Sequence, residues 1–166
     1  NYHLDRMKKE KPIVVHGNGT SFWPTCHRDD VAVAFVGALG NQKAKGRSYH
    51  VAGEEWMTWE QYHQRLALAI GAPAPQFVYI PTDVLVRLAP KAAAWCEMNF
   101  SYNNLFDNSA ARQDLGFRVT VPWVEGAQRT VDWLEKNDQL EKSEDHPFYD
   151  RVTEAWQQAV DGLEAV

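Results

Sequence analysis

The sequence has little cysteine, little basic charge and no long apolar run. Its two cysteines, Cys26 and Cys96, lie outside any CxxC motif or Cys/His cluster, so a disulfide scaffold and a structural zinc site both lack support. Seventeen basic residues against 22 acidic ones give a net charge of −5 without a basic stripe, which argues against nucleic acid as a partner. The apolar run at 31–39 is far shorter than the roughly 20 residues that span a bilayer, so we expect no membrane segment.

Motifs for export, phosphate binding and metal binding are also missing. The chain opens Asn1-Tyr2-His3 without a Met or an apolar signal core, and we expect a cytoplasmic chain that starts inside a longer protein. The patterns GxGxxG, GxxxxGK[ST], GxSxG and HExxH do not occur, so no phosphate cradle, nucleophile elbow or zinc helix is recognised. The six histidines lack metal-ligand spacing. We expect no metal site, and expect His50 and His63 to be structural or solvated.

The composition fits one globular core. Apolar residues make up 45% of the chain, with seven Trp, six Tyr and seven Phe, enough for an ordinary domain. β-type runs at 12–17, 48–52 and 76–80 alternate with helical patterns, which predicts an α/β fold, or α+β as an isolated fragment, mostly helical with a few short strands. Three strands are fewer than an average sheet has, so we expect some of them to extend a sheet outside this chain.

Several helices carry clear end signals. Thr58 and Gln61 fit a capping box for a helix that ends at Gly71. Helices are also predicted at 27–39, 82–88, 110–115, 122–136 and 148–166. We divide the chain into a main region, 1–137, and a charged connector with a C-terminal amphipathic helix, 138–166, which needs a surface to lie on.

Two groups near residue 25 could bear on function. Asp29 and Asp30 could form a paired-carboxylate acid/base site, but adjacent residues at a helix start do not face each other, and compensation of the helix dipole is favoured. Trp23 follows the turn Gly17-Asn18-Gly19. It could wall a ligand pocket or be a plain core aromatic.

The order of motifs along the chain points to a family. The motifs are KPIVVHGNGT (11–20), HRDDVA (27–32), GRSYHVAG (46–53), MTWE (57–60), AIG (69–71), FDNSAAR with LGF (106–117), and EG followed by RT and W (125–133). In this order and spacing the chain resembles the C-terminal half of extended short-chain dehydrogenase/reductases, the NAD-dependent epimerase/dehydratase family. The resemblance implies a substrate domain that follows an N-terminal Rossmann domain binding NAD or NADP.

The family's catalytic and cofactor motifs have no match in this chain. The resemblance places the glycine-rich fingerprint and the Tyr-x-x-x-Lys pair before Asn1. Tyr62 and Tyr79 do not substitute, since Leu66 and Asp83 stand where the Lys would be. No catalytic or cofactor-binding residue is therefore named, and we do not expect this chain alone to bind NAD or NADP.

The resemblance also suggests candidate substrate-binding residues. Many family members hold a nucleotide-sugar diphosphate with an Arg in an R-D-F-x-H-V-x-D pattern. Here Trp23 takes the place of that Arg, while His27 and Asp30 match the pattern. The segment 95–105, where a second Arg is expected, has no Arg or Lys. We therefore take Trp23, His27 and Asp30 as candidates, and expect a substrate other than a nucleotide-sugar.

Two functions follow from this reasoning. The first is the substrate-binding portion of an NAD(P)-dependent epimerase, dehydratase or reductase, acting on a small molecule. The second is a stand-alone, non-catalytic remnant that binds a small ligand or a protein. The expected partners are the small-molecule substrate and either the missing N-terminal Rossmann domain or a second copy of the chain, because unpaired strand edges need cover.

The missing phosphate cradle leads to a first prediction. We expect the 166 residues to bind NAD or NADP no more tightly than about 1 mM, roughly −4 kcal/mol, because no glycine-rich strand-to-helix turn offers backbone amides to the phosphates. Calorimetric titration measures this, and micromolar affinity would contradict it.

Overall fold

A computed structural model describes residues 1–163, in which short strands alternate with helices. The strands are β1 Ile13–His16, β2 Phe22–Trp23, β3 Met57–Thr58 and β4 Phe77–Ile80. The α-helices are α1 Tyr2–Lys8, α2 Arg28–Ala38, α3 Trp59–Ala69, α4 Thr82–Leu88, α5 Ser109–Leu115, α6 Trp123–Lys136 and α7 Phe148–Asp161. The expected fold class, mostly helical with a few short strands, is confirmed. Over these residues, no helix combines the length and the apolar content that a membrane crossing requires.

Two of the three predicted strands are present and pair with each other. β1 runs parallel to β4, with Ile13 opposite Phe77 and His16 opposite Ile80. β2 and β3 form a second, antiparallel pair two residues long, which the sequence did not predict. Parallel pairing of β1 and β4 places their carboxyl ends at one edge.

The predicted strand at 48–52 is wrong for the described residues. This segment has no regular secondary structure and no ladder partner. Instead, the Asn108 side chain bonds both backbone groups of Ala52: its Oδ1 accepts from the N–H at 3.1 Å and its Nδ2 donates to the carbonyl at 2.9 Å. An amide side chain thus supplies the hydrogen bonds that a neighbouring strand would make.

The capping box of α3 is confirmed. The Thr58 hydroxyl accepts from the Gln61 backbone N–H at 3.2 Å, and the Gln61 side chain accepts from the Thr58 N–H at 3.1 Å. Two otherwise unpaired donors are satisfied at once, so α3 begins at a defined residue.

Three apolar clusters form the core. One joins α1, α3 and α6, a second joins α2 and α5, and a third lies under α4 and α7. Their buried members are Leu4, Met7, Ile13, Leu66, Ala67 and Val131; Ala34, Ala111, Leu115 and Phe117; and Ile80, Leu85, Ala93 and Val152. The first and third clusters flank the β1–β4 pair, and space remains between them.

The helix in the C-terminal part packs back onto β1. Arg6 on α1 is buried; its Nε donates to the Pro12 carbonyl at 3.0 Å and a terminal nitrogen bonds Asp150 at 2.6 Å. The Arg6 guanidinium also lies 4.0 Å from the centroid of the Tyr149 ring. The Tyr149 hydroxyl in turn accepts from the Val14 N–H at 2.6 Å, so α1, β1 and α7 are joined by one polar network.

This network leads to a stability prediction. We expect Asp150→Asn to lower the free energy of unfolding by about 1–3 kcal/mol, because the buried Arg6 charge loses its carboxylate. Urea denaturation measures the change. Glu144→Gln is the matched control: Glu144 pairs with Lys9 on the surface, where such pairs contribute about 0–1 kcal/mol. Equal losses in the two variants would contradict the prediction.

Candidate functional site

A cavity of about 530 Å³ lies between the first and third apolar clusters. Its walls come from α1, β1, α3, α4, α6 and α7, with short contributions from the loops around residues 26 and 54. The larger aromatic and imidazole side chains that face it are Tyr2, His3, His16, His27, Trp59, Tyr62, His63, Phe100, Trp123, Phe148 and Tyr149. Its size and apolar lining are typical of a small-molecule site.

The described lining of the cavity contains no lysine and no arginine. Its acidic members are Glu54 and Glu55, and both are already paired. Glu55 accepts from Arg65 at 3.0 Å and from the Trp123 backbone N–H at 2.7 Å, while Glu54 pairs with Arg112. The two carboxylates therefore rim the cavity without a free cation beside them.

Three histidines meet in the wall. The rings of His3 and His63 have centroids 5.8 Å apart, and the His63 ring is 6.4 Å from Trp59. Burial, helped by the neighbouring His63, lowers the pKa of His3 to about 3. Burial likewise lowers the pKa of His63 to about 4 and lowers that of His16. All three rings are thus neutral at pH 7.

The structure separates the three residues that the sequence grouped. His27 lines the cavity and caps α2, its Nδ1 accepting from the Asp29 N–H at 3.3 Å. Trp23 does not reach the wall; it stacks behind Trp59, with ring centroids 5.7 Å apart and planes 20° apart. The wall and its aromatic backing therefore come from different segments.

Asp30, in the first turn of α2, is buried and does not line the cavity. Its Oδ1 accepts from the Thr120 N–H at 3.1 Å and the Thr120 hydroxyl at 2.6 Å, and its Oδ2 accepts from the Val121 N–H at 3.2 Å. Burial alone would raise the pKa of Asp30, but these bonds outweigh it and lower the pKa. Asp30 thereby ties α2 to the segment before α6, and does not share an acid/base site with the exposed Asp29.

Sequence reasoning missed His63 as part of the site. The sequence suggested a structural or solvated residue on the helix surface. The His63 ring is buried, so it is not solvated, and its Nδ1 has no hydrogen-bond partner among the described residues. A signal was available: His63 stands three and four residues before Leu66 and Ala67, on the buried stripe of α3. Within residues 1–163, no group of three or more His, Cys, Asp or Glu side chains is arranged to hold a metal ion.

The described residues do not fit the phosphates of a dinucleotide. The turn after β1 leads into a strand instead of a helix, and a Cβ at Gly19 would meet the Val15 side chain at 2.6 Å, so that turn is already filled. After β4, Pro81 precedes α4, and Asp83 lies in its first turn. A carboxylate there repels a phosphate.

The sequence relatives of this chain include a protein named for stem-loop binding and a dehydrogenase. No protein-family model matches the chain. It is 34% identical over 125 residues to the chloroplast stem-loop binding protein of 41 kDa b of Arabidopsis thaliana, covering 75% of this chain and 32% of that protein. It is 28% identical over 151 residues to the 3beta-hydroxysteroid-dehydrogenase/decarboxylase isoform 1 of the same plant, covering 76% of this chain and 34% of that protein. The chain spans about a third of the length of these relatives.

Solved structures define the fold. The UDP-glucuronic acid 4-epimerase from Bacillus cereus, in complex with NAD, matches with a TM-score of 0.59 and 22% identity, over 81% of this chain and 39% of that one. Other matching structures include a UDP-glucose 4-epimerase and dTDP-glucose 4,6-dehydratases. The chain has the fold of the C-terminal portion of the extended short-chain dehydrogenase/reductases. The expected resemblance to NAD-dependent epimerases and dehydratases is confirmed.

The neutral histidines predict how stability depends on pH. Because the folded-state pKa values of His3 and His63 lie below the usual 6.5, the unfolded chain binds more protons between about pH 6.5 and 4. We expect the urea midpoint to be constant above about pH 7 and to fall as the pH drops through that window. His63→Phe flattens the decline, whereas His50→Phe, at an exposed site, leaves it unchanged. A midpoint that rises on acidification would contradict this.

The bonds of Asp30 predict a structural role. We expect Asp30→Asn to lower the free energy of unfolding by about 2–4 kcal/mol, because an amide cannot accept at both of the positions that the backbone donors approach. Asp29→Asn, on the exposed side of the same turn, should cost less than about 1 kcal/mol. Thermal or urea unfolding compares the two, and a stable Asp30→Asn protein would refute the role.

Proposed function

We propose that this chain is the substrate-binding portion of an NAD(P)-dependent epimerase, dehydratase or reductase, and that its substrate carries no nucleoside diphosphate. The observation that carries the second part is that the described lining of the cavity contains no Lys or Arg side chain. A buried diphosphate requires Arg or Lys, which donate charge-assisted hydrogen bonds. Neutral imidazoles and the carboxylates of Glu54 and Glu55 supply no such charge, so an uncharged ligand suits the cavity.

The first part of the proposal is supported by the fold and by the relatives. A reductase and dehydrogenase/decarboxylases stand among the sequence relatives, and epimerases and dehydratases stand among the solved structures. In such a protein the hydride belongs to the nicotinamide, and the protein binds and orients the substrate. Residues of this chain would contribute the aromatic wall, which excludes water, and the position of the substrate.

Trp23 contributes through Trp59 in this proposal. Its ring backs the Trp59 ring that faces the cavity, and it contacts Phe100 edge-on with centroids 5.0 Å apart. Trp23 therefore does not wall the cavity itself, and its packing supports the role of a partly buried aromatic that holds the wall residue Trp59 in place.

Nucleotide binding tests the proposal. We expect UDP to bind no more tightly than uridine, because the diphosphate finds no Lys or Arg side chain among the described residues that line the cavity. His27→Arg places a cation in the cavity wall and should favour UDP over uridine, whereas His27→Phe keeps an uncharged ring at the same position and should not. Calorimetry gives the ratios. Preference of the unaltered chain for UDP by tenfold or more would end the proposal.

The alternative is a stand-alone protein that binds a ligand or a partner without catalysis. The intact mass of the natural polypeptide separates the two functions: an additional domain of roughly 150 residues supports the enzyme, and a product of this size alone supports the alternative. Sedimentation of the chain tests the proposed self-association. The chloroplast relative is named for stem-loop binding, but the net charge of −5 disfavours a phosphate backbone as ligand here.

A further inference from the structure

His27 combines deep burial with one unused hydrogen-bonding nitrogen. Its side chain lines the cavity and keeps only 10% of its surface accessible. Its Nε2 makes no hydrogen bond with a described residue, and unlike Nε2 of His16 it is not fully covered by protein. Buried polar groups are paired in the great majority of cases. An imidazole nitrogen that stays accessible and unpaired in a cavity wall therefore indicates a place where a ligand forms the missing bond.

The N-terminal cap of α2 determines which nitrogen of His27 carries the ring hydrogen. Nδ1 accepts from the backbone N–H of Asp29 at 3.3 Å. A ring nitrogen that accepts a hydrogen bond carries no hydrogen, so the hydrogen of the uncharged imidazole is on Nε2. Nε2 is therefore a donor, because the start of the helix needs an acceptor at Nδ1.

Packing against α6 sets the orientation of the His27 ring. A Cβ at Gly126 would lie 3.1 Å from Cδ2 of His27 and 3.6 Å from its Cβ, so the side chain lies directly against the backbone of α6. The Nδ1 edge faces the first turn of α2, and the Cδ2 edge faces α6. These two contacts leave the tip of the ring, with Nε2 and Cε1, for the cavity.

Acceptors at this end of the cavity already have donors. Thr25, two residues before His27, accepts the indole N–H of Trp123 at 2.5 Å. Glu55 accepts the backbone N–H of Trp123 at 2.7 Å and also binds Arg65. A ligand beside His27 thus meets a donor without a partner, and the group that complements a donor is an acceptor.

Neighbouring carboxylates favour an uncharged acceptor over an anion. Glu54 and Glu55 both line the cavity. Their segment packs against the residues before His27, since a Cβ at Gly53 would meet the carbonyl oxygen of Thr25 at 1.8 Å. An anion bound at His27 would lie close to these like charges, which costs free energy. A carbonyl oxygen accepts the same hydrogen bond without a net charge.

We infer that His27 is a specificity-determining residue of the cavity, whose Nε2–H donates a hydrogen bond to an uncharged carbonyl oxygen of the ligand. This inference rests on the proposed function, because it concerns the substrate of the same cavity. One side chain has two linked roles: Nδ1 caps α2, and that bond keeps the hydrogen on the nitrogen that binds the ligand.

A ketone and its parent hydrocarbon test the inference on the chain as it exists. We expect 1-indanone to bind about tenfold more tightly than indane, the gain from one hydrogen bond to an otherwise unpaired buried donor. The ¹⁵N spectrum of the unaltered protein should show the hydrogen of His27 on Nε2. The Nε2–H signal should move further with 1-indanone than with indane.

Two serine variants separate capping from binding. His27→Ser keeps an oxygen that accepts at the helix N-cap but removes the imidazole N–H from the cavity, so it should abolish the advantage of 1-indanone over indane. His50→Ser replaces an exposed imidazole outside the cavity lining and should preserve that advantage. The ¹⁵N measurement uses the unaltered protein and does not depend on whether a variant folds.

The possible failures differ. Equal affinity for the two probes, no binding of 1-indanone, or a hydrogen on Nδ1 of His27 overturns this inference and leaves the proposed function standing. An advantage of 1-indanone that persists in folded His27→Ser does the same. Preference of the unaltered chain for UDP over uridine by tenfold or more overturns both, since it shows that the cavity accepts a diphosphate.

Discussion

The buried charge of Arg6 holds together the parts that create the cavity. Its guanidinium connects the end of α1, the carbonyl before β1 and the first turn of α7, and it lies against Tyr149. The Tyr149 hydroxyl accepts a hydrogen bond from the backbone N–H of Val14. That N–H points away from β4 and is not used in the strand pair. A buried cation tolerates few arrangements, because each lost partner leaves an uncompensated charge. The walls supplied by α1 and α7 therefore depend on this one side chain.

Charge distribution gives the cavity its chemical character. Burial keeps the histidines neutral, and partners outside the lining engage Glu54 and Glu55. What remains is a largely apolar and aromatic surface without a Lys or Arg side chain among the described lining residues. Such a lining differs from a site built around arginines for a diphosphate.

Local signals in the chain predicted much of the fold. The capping box at Thr58 and Gln61, the apolar spacing of α6 and α7, and the β-branched runs of β1 and β4 all lead to the observed elements. The segment 48–52 has the composition of a strand, yet its hydrogen bonds go to Asn108. A composition rich in β-branched and aromatic residues favours an extended backbone, but a segment becomes a strand only when a neighbouring strand pairs with it. Helix α1 and the short β2–β3 pair were missed because neither has a periodic pattern long enough to read.

By itself the sequence determined the resemblance to the extended short-chain dehydrogenase/reductases, the helices with end signals, and the absence of Arg at residue 23 and of Arg or Lys at 95–105. These depend on residue identity and local spacing. Only the tertiary structure decided that Trp23 packs against Trp59, that Asp30 bonds Thr120 and Val121, and that His16 and His63 line one cavity. The reason is physical: burial and hydrogen bonding depend on neighbours as far as 144 residues away in the chain, and no local pattern specifies which neighbours those are.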